Sequence, residues 1–337
     1  MGNPTIKILA KELNLSVASV SKALRDSHEI SNKTKQKVLA LARQMNYVPN
    51  PYASSLRKRI SKTIAVVLPE VADSFFSQAI NGIEAVAQEK GYHVLIYLTH
   101  ESFAREKAIL NEFKSGRVDG ILISVSGETS DSKHIKDVAE EGIPLVFFDR
   151  ICEDVDTARI VTDDFESGYN ATSHLIEQGC KKIAFLSISA SLSISNNRMM
   201  GYKKALKAHK MKVTEADIIL CSNDSDENYR TIKDLLKKKT RPDGIIASVE
   251  KLTAGVYRAC KDLKLIIPGD VKLISFTNLQ TALILNPPLT TITQPAFEMG
   301  KAAASLLFKA LDKQSHEVKQ ETVVIPSTLT VRSSTGS

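Results

Sequence analysis

The chain has 337 residues, of which 43% are hydrophobic and 25% are charged. This length predicts more than one domain, and the composition is typical of globular proteins and excludes a disordered chain. No apolar run reaches the length of a membrane span, and the lysine-containing N-terminus does not resemble a signal peptide, so we expect a cytoplasmic protein that does not contact a membrane. The four cysteines are widely spaced, which predicts buried free thiols and no metal site or other cofactor.

The net charge of +7 is concentrated at the beginning of the chain. Residues 1–62 contain 12 Lys and Arg against 3 Asp and Glu, whereas the remainder contains 33 against 35. A basic segment on a nearly neutral body indicates a domain that binds a polyanion.

Three amphipathic helices are predicted in residues 1–49, which we call the head. The first covers about 5–13 and the second begins at Val17 and ends near Arg25. Between them, Asn14 tolerates the left-handed backbone of a tight turn, and Ser16 is a good N-cap. The third helix begins after the N-cap Ser31. Two short helices joined by a tight turn and braced by a third predict a helix-turn-helix unit.

In a helix-turn-helix unit, the second helix enters the major groove of DNA. Lys22 can donate to a guanine edge there, because its ammonium reaches O6 and N7. Of the other outward positions, Val17 and Ala18 suit thymine methyl groups, and Ser16, Ser19 and Ser21 suit phosphate oxygens. A plain three-helix bundle with a solvated serine face is the alternative, but the basic charge of the head favours DNA binding.

The segment "NPYASSLRKR" at residues 50–59 follows the head. Asn50 and Pro51 suit a helix start, yet so short a helix is unstable alone, because nucleation costs more than a few hydrogen bonds return. Three cations follow at residues 57–59. The segment is either a helix that orders only on DNA or a flexible basic linker.

From residue 62 onward, short apolar runs alternate with amphipathic helices. Strands are predicted at 63–68, 93–98, 119–124, 144–148, 183–188, 243–247 and 271–276, and helices near 76–90, 102–115, 131–141, 165–178, 198–210, 226–239, 250–263 and 295–312. This alternation predicts an α/β core of two doubly wound lobes with parallel sheets, because similar numbers of elements precede and follow residue 160.

The head resembles that of the lactose-repressor/galactose-repressor family of bacterial transcriptional regulators. The resemblance rests on "SVxxVSxAL", on "MNYVPN" and on "ASSLR", within about sixty continuous residues. It implies further DNA contacts from Thr5, Asn50, Tyr52, Ala53, Ser54, Leu56 and Arg57. It also implies a homodimer on an inverted-repeat operator, with Leu56 of a hinge helix as a wedge in the minor groove. Asn14 replaces the usual glycine, and Lys22 stands where arginine is commoner.

The body is similar to the effector-binding core of the same family, which is related to periplasmic sugar-binding proteins. Its landmarks are "DSFF", "VDGILIS", "GIPLVFFDR", "NRMMGYKKAL" and "NPPLTTITQP". The resemblance implies a head at 1–49, a hinge and linker at 50–61, an N-terminal lobe at 62–161 with about 294–322, and a C-terminal lobe at 162–290 with about 323–332.

Candidate effector residues follow from the positions of polar and aromatic side chains at strand ends and from the resemblance. They are Phe75, Phe76, Ser124, Asp149, Arg150, Arg198, Thr277 and Gln294. Each has a structural alternative: Asp149 can cap a helix, Phe76 can be a core residue, and either arginine can pair with a surface carboxylate.

Two departures from the family pattern bear on the effector. Val249 and Glu250 replace an Asn-Asp pair, and Thr277 and Asn278 replace two aspartates. Fewer carboxylates would leave the two arginines less neutralised. On this argument the effector is a small polar molecule such as a sugar, sugar phosphate or sugar acid, with an anionic group favoured.

No motif for catalysis stands out in the chain. The adjacent Asp163 and Asp164 form the most conspicuous carboxylate pair of the body, and we expect a solvated or hinge role for them. A ligand-controlled transcriptional regulator, a repressor in the family's manner and not an enzyme, is therefore favoured. An exported solute-binding protein and an enzyme with a DNA-binding appendage are the alternatives.

Overall fold

The structure is a computed structural model that describes residues 4–47, 60–189, 192–313 and 318–336. The chain divides into two compact units, and the division falls between Ser61 and Lys62. Unit 1 is helical and unit 2 is α/β. Within the four described ranges, no helix combines the length and the apolar character that crossing a membrane requires.

Unit 1 contains helices α1 (Ile6–Glu12), α2 (Val17–Leu24) and α3 (Asn32–Gln44). Each begins at a hydroxyl N-cap, since Thr5, Ser16 and Ser31 accept hydrogen bonds from backbone N–H groups of the first turn. Asn14 has the left-handed φ of 50° in the turn between α1 and α2. One small apolar core joins the three helices. The predicted helix-turn-helix head is confirmed, with helix ends within about a residue of those predicted.

Unit 2 alternates strands and helices almost throughout. Its strands are β1 (Thr63–Leu68), β2 (His93–Leu98), β3 (Gly120–Ile123), β4 (Leu145–Phe148), β5 (Arg159–Val161), β6 (Ile183–Ser187), β7 (Ile218–Leu220), β8 (Gly244–Ala247), β9 (Lys272–Phe276), β10 (Thr290–Thr293), β11 (Thr322–Val324) and β12 (Thr328–Thr330). Its α-helices are α4 (Ser74–Glu89), α5 (Phe103–Phe113), α6 (Lys133–Glu140), α7 (Asp164–Glu177), α8 (Ser193–Ala208), α9 (Ser225–Lys237), α10 (Thr253–Leu263) and α11 (Ala296–Leu311).

These strands form two six-stranded sheets in the described part of the chain. The first has the order β11-β5-β4-β3-β1-β2 and the second β12-β10-β9-β8-β6-β7. All neighbours are parallel except β10 and β12. Every residue of β1 is buried, because helices cover both faces of a parallel sheet. The two doubly wound lobes expected from the sequence are therefore confirmed.

Each sheet defines one lobe, and the described chain passes between the lobes at three places. These lie between β5 and α7, between β10 and α11, and between β11 and β12. Because β11 pairs with β5, residues 322–324 belong to the first sheet. The last crossing therefore comes a few residues later than the boundary at 322–323 that the resemblance implies. Similarly, β10 extends the second sheet to Thr293 rather than to residue 290.

The sequence analysis did not predict five short strands or the true start of one helix. Strands β5, β7, β10, β11 and β12 have only three or four residues each, too few to show a hydrophobic period. Helix α8 begins at Ser193, five residues before the predicted start, because its serine- and asparagine-rich first turn reads as a loop in isolation.

Candidate functional site

A cavity lies between the two lobes, at the carboxyl ends of both sheets. The strand order of each sheet changes direction at one point, between β1 and β3 in the first sheet and between β6 and β8 in the second. A ligand crevice is expected at such a point. The cavity holds about 330 Å³ of space not occupied by protein atoms. It is lined by Asp73, Phe75, Phe76, Asp149, Arg150, Ile194, Arg198, Val249, Glu250, Phe276, Thr277 and Gln294.

The loop after β1 and the first turn of α4 supply the aromatic wall of the first lobe. The rings of Phe75 and Phe76 are 5.3 Å apart and nearly perpendicular, and Phe76 makes a second edge contact with Phe148 at 6.4 Å. Asp73 is the N-cap of α4 and accepts a hydrogen bond from the Phe75 backbone N–H at 2.9 Å. The cap therefore places a carboxylate beside two rings at the cavity wall.

Asp149 and Arg150 follow β4 and are almost fully buried. Arg150 Nη1 donates to both carboxylate oxygens of Glu101, at 2.8 and 3.0 Å. Gln294 Nε2 donates to Asp149 at 3.4 Å. Burial raises the pKa of Asp149 to about 6, although the charges of Arg150 and Arg198 oppose this shift. Glu101 thus neutralises the charge of Arg150. The sequence analysis did not identify Glu101 as a candidate.

Arg198 anchors the wall of the second lobe from α8. It is only 2% exposed, and its Nε donates to Asp164 at 2.6 Å while Nη1 donates to the Ser248 carbonyl oxygen at 2.6 Å. Its guanidinium carbon lies 4.3 Å from the centre of the Phe276 ring. Nη2 is buried and has no hydrogen-bond partner among the described residues.

The expectation for the Asp163–Asp164 pair requires a correction. Asp163 lies at a crossing between the lobes, where its Oδ1 accepts from the Ser327 backbone N–H at 2.7 Å, in keeping with a hinge position. Asp164, however, is the first residue of α7, 4% exposed and bonded to Arg198. A buried guanidinium needs a buried counterion, and the sequence does not show which carboxylate provides it.

Glu250 is the principal polar contact between the lobes. Its Oε2 accepts from the Thr277 hydroxyl at 2.5 Å and from the Asn278 backbone N–H at 3.3 Å, both in its own lobe. Across the cavity, Oε1 accepts from the Ser74 backbone N–H at 3.0 Å, and the Ser74 hydroxyl donates to Oε2. Glu250 therefore supplies the carboxylate that position 277 lacks.

Two further contacts join the lobes beside the cavity. Gln78 and Asn278 exchange hydrogen bonds at 3.0 and 3.2 Å. Lys251 Nζ lies 2.9 Å from a carboxylate oxygen of Glu70. Together with Glu250, these side chains connect the two lobes directly.

The structure places seven of the eight candidate effector residues around this one cavity. Ser124 is the exception: it is fully buried, and its hydroxyl accepts from the Arg150 backbone N–H at 3.4 Å. The sequence analysis did not propose Asp73, Ile194, Val249, Glu250 and Phe276 as ligand contacts, although all five line the cavity. Asp73 was within reach of sequence reasoning, because "DSFF" places it at a helix N-cap directly after a strand.

The charge argument for an anionic effector is wrong. It assumed that Arg150 and Arg198 lack carboxylate partners, but Glu101 and Asp164 pair with them at 2.8 and 2.6 Å. The cavity wall itself carries three carboxylates and two guanidinium groups. The error arose because only the positions where family aspartates are missing were considered. The carboxylates that pair with the two arginines come from distant parts of the chain.

In unit 1, the candidate DNA contacts lie at the start of α1 and along α2. Thr5, Ser16, Val17 and Ala18 are exposed, and Ser19, Ser21 and Lys22 are partly exposed. Lys22 forms an ion pair with Glu29, and the Ser21 hydroxyl accepts from Arg25 at 2.7 Å. The hinge candidates Asn50, Tyr52, Ala53, Ser54, Leu56 and Arg57 lie outside the described residues.

Comparisons with known proteins agree with both units. Residues 61–332 match the family described as periplasmic binding proteins and sugar binding domain of LacI family, and residues 5–50 match bacterial regulatory proteins, lacI family. The chain is 28% identical over 335 residues to catabolite control protein A of Priestia megaterium, covering 99% of both chains. It is 28% identical over 331 residues to the ribose operon repressor of Haemophilus influenzae, covering 98% of both.

Solved structures show the same fold. The lac repressor dimer bound to operator and the anti-inducer ONPF aligns with a TM-score of 0.86 at 21% identity, covering 100% of both chains. A LacI family transcriptional regulator from Enterococcus faecium with bound ribose aligns with a TM-score of 0.71 at 26% identity, covering 81% of this chain and 98% of that one.

The fold and the two matches define a ligand-responsive transcriptional regulator with a helix-turn-helix domain. The chain belongs to the LacI family. Its relatives are named as repressors and regulators of transcription, not as enzymes. The alternatives of a solute-binding protein and of an enzyme with a DNA-binding appendage are therefore not favoured.

Proposed function

We propose that this protein is a repressor that binds an inverted-repeat operator as a homodimer and is controlled by a small hydroxylated effector in the cavity between its lobes. The observation that carries the proposal is this cavity, which polar side chains of both lobes line beside an aromatic wall. A regulator of bacterial transcription works where the chromosome is, so we place it in the cytoplasm.

The DNA contacts are assigned by their positions in unit 1. Val17, Ala18 and Lys22 read base edges from α2, while Ser16, Ser19 and Ser21, with Thr5 at the start of α1, position the unit on phosphates. Lys22 must leave its ion pair with Glu29 to reach a base, which costs little because both side chains are about half exposed.

The chemistry of the cavity limits the effector. Phe75, Phe76 and Phe276 can pack against apolar ring faces, and Asp149 and Arg198 can bind hydroxyl groups. The ribose in the related Enterococcus faecium structure is a ligand of this kind.

The effector can control DNA binding only if it makes different contacts in different arrangements of the lobes. An effector that replaces the Glu250 contacts with its own changes the balance between closed and open lobes, and only such a difference can shift a conformational equilibrium. In the dimer, the shift alters how the two DNA-binding units present themselves to the half-sites.

The test is a DNA-binding assay with the purified full chain. Operator fragments are selected from genomic DNA, protected sites are mapped, and affinity is then measured at fixed salt with and without a panel of sugars. We expect a protected site with two-fold sequence symmetry and a change of at least about fivefold in affinity with one class of sugar, a typical allosteric coupling. Binding without sequence preference would overturn the DNA half of the proposal, and unchanged affinity with every ligand that binds would overturn the control.

A further inference from the structure

The cavity between the lobes is lined by groups of both charges. Arg198 offers a buried Nη2 donor that has no partner in the described chain, although its other two nitrogens are bonded. A buried donor without an acceptor is costly, which indicates that a ligand oxygen completes the site.

Two carboxylates, Asp73 and Glu250, line the same cavity from opposite lobes, and the charge of Glu250 acts on Asp73. Asp73 caps α4 in the first lobe, and Glu250 of the second lobe bonds to the adjacent residue, Ser74. Every hydrogen bond that these two carboxylates accept in the described chain comes from a neutral donor. Burial and the charge of Glu250 raise the pKa of Asp73 to about 7.

The surrounding charges do not correct this imbalance. Arg150 is taken by Glu101, Arg198 by Asp164, and Lys251 by Glu70. Counting these pairs together with Asp73, Asp149 and Glu250, six carboxylates face three cations around the cavity. An anionic ligand would add to this excess, whereas a cationic group would reduce it.

We infer that the effector is an amino sugar or a similar aminated polyol, whose ammonium group is held between Asp73 and Glu250 and whose hydroxyl oxygen accepts from Arg198. The inference rests on the proposed function, because it specifies the ligand of the same cavity. Charge-assisted hydrogen bonds give the ammonium group its preference, since both carboxylates bind it without an added counterion. The aromatic rings of the cavity wall pack against the apolar face of the amino sugar, as they would against that of a neutral sugar.

The experiment compares matched probes on the full-length protein. Thermal shift and calorimetry are run at pH 7.5 and constant ionic strength with glucose, galactose and mannose. Their 2-amino-2-deoxy forms, N-acetylated forms, uronic acids and 6-phosphates complete the panel. We expect at least one amino sugar to bind about tenfold or more tightly than its parent sugar, in line with a hydrogen bond to a charged group. Acetylation, which removes the charge, should abolish the gain.

Single-residue variants test which carboxylates give the preference for an amino sugar. Glu250→Gln and Asp73→Asn keep the shape and remove one charge each, so each should reduce the amino-to-parent affinity ratio toward one. Glu140→Gln, an exposed charge change on α6, serves as the control and should keep the wild-type ratio. A native circular dichroism spectrum and a cooperative thermal transition show that a variant is folded.

Each outcome decides the inference. If neutral sugars bind as well as their amines, or if uronic acids or phosphates bind best, the inference is overturned while the proposed function stands. If no probe binds, the inference and the effector half of the proposed function both fail, and the DNA-binding assay reports separately on the other half. An amino preference that survives both variants would also overturn the assignment to Asp73 and Glu250.

Discussion

At the scale of single residues, the cavity depends on carboxylates in unlike surroundings. Glu101 accepts two hydrogen bonds from Arg150, whose charge outweighs burial and lowers the pKa of that carboxyl group. Asp73 and Asp149 have raised pKa values of about 7 and about 6, chiefly because of burial. Residue type alone did not predict this difference, because it depends on which side chains each carboxylate meets.

Removing the charge of Asp73 should stabilise the protein at neutral and higher pH. The folded state holds a proton on Asp73 up to about pH 7, whereas an unfolded aspartate releases it near its ordinary value of about 3.9. The contribution of Asp73 to the free energy of unfolding is therefore greatest at low pH and declines as pH rises through this window. Relative to wild type, Asp73→Asn should gain melting temperature between pH 5 and pH 8, measured by circular dichroism.

The control for that experiment is Asp224→Asn. Asp224 is an exposed N-cap of α9 that accepts from the Glu227 backbone N–H at 2.7 Å, and asparagine caps helices equally well. A difference between Asp73→Asn and wild type that is the same at pH 5 and pH 8 would contradict the role of charge at Asp73.

A second residue-scale prediction concerns the ion pair of Lys22 with Glu29. Glu29→Gln frees Lys22 for DNA and removes a negative charge from the binding unit, so operator affinity should rise. The gain should be at most about fivefold, because an exposed ion pair contributes about 0–1 kcal/mol. Fluorescence anisotropy at low and high salt measures the operator affinity. The gain in affinity should decrease as the salt concentration rises. Glu140→Gln in unit 2 makes the same charge change, and an equal gain in that variant would refute the local explanation.

At the scale of elements, glycines permit two close helix pairs. In α8, a Cβ on Gly201 would lie 2.0 Å from the Phe165 carbonyl oxygen of α7. In α11, a Cβ on Gly300 would lie 2.1 Å from the Ala79 carbonyl oxygen of α4. The α7–α8 contact also carries the Asp164–Arg198 pair, so close backbone packing and the ligand wall depend on each other.

Gly201→Ala should therefore destabilise the second lobe by about 1–3 kcal/mol or more, because neighbouring backbone cannot yield as a side chain can. It should also weaken effector binding, since α8 carries Arg198. Urea unfolding followed by circular dichroism measures the loss.

Gly255→Ala is the matched control for that change. Gly255 lies inside helix α10, where a Cβ would lie 3.1 Å from the Ile232 Cδ1 atom, at the end of a flexible side chain, and 3.9 Å from the Tyr229 backbone. Alanine gains helix propensity there, so stability should be unchanged or increased. Similar losses in both variants would show that close packing at Gly201 is not the cause.

At the scale of the whole molecule, the function requires that the lobes and the DNA-binding units communicate. The lobes are joined at three crossings of the described chain and by the contacts of Glu250, Gln78 and Lys251. Because linkage is reciprocal, any effector that lowers operator affinity must bind less tightly to the operator complex by the same factor.

The hinge prediction belongs to this scale, although Leu56 lies outside the described residues. Leu56→Ala should lower affinity for the specific operator by about tenfold or more and reduce DNA bending, because an apolar wedge between base steps is lost. Non-specific affinity should change little, since it depends on phosphate contacts. Gel-shift assays with circularly permuted operator fragments measure the specific affinity and the DNA bending. Leu39→Ala, which truncates an exposed leucine of α3, is the control. Unchanged bending in Leu56→Ala would refute the wedge.

The sequence by itself determined the features whose signals are local. The caps Ser16 and Ser31, the turn at Asn14 and the apolar run of β1 each act within a few residues, so the helical unit and most of the two lobes were predictable. The positions of Asp149 and Arg150 at the end of β4 followed from the α/β topology in the same way, whereas Arg198, Thr277 and Gln294 came from the family resemblance.

Only the tertiary structure decided the charge of the cavity. Glu101 reaches Arg150 across 49 positions, Asp164 reaches Arg198 across 34, and Glu250 reaches Ser74 across 176. Electrostatic energy depends on distance in space and on burial, and no local pattern encodes either for pairs so far apart along the chain. For that reason the sequence located the ligand cavity, whereas only the fold showed that its two arginines have carboxylate partners.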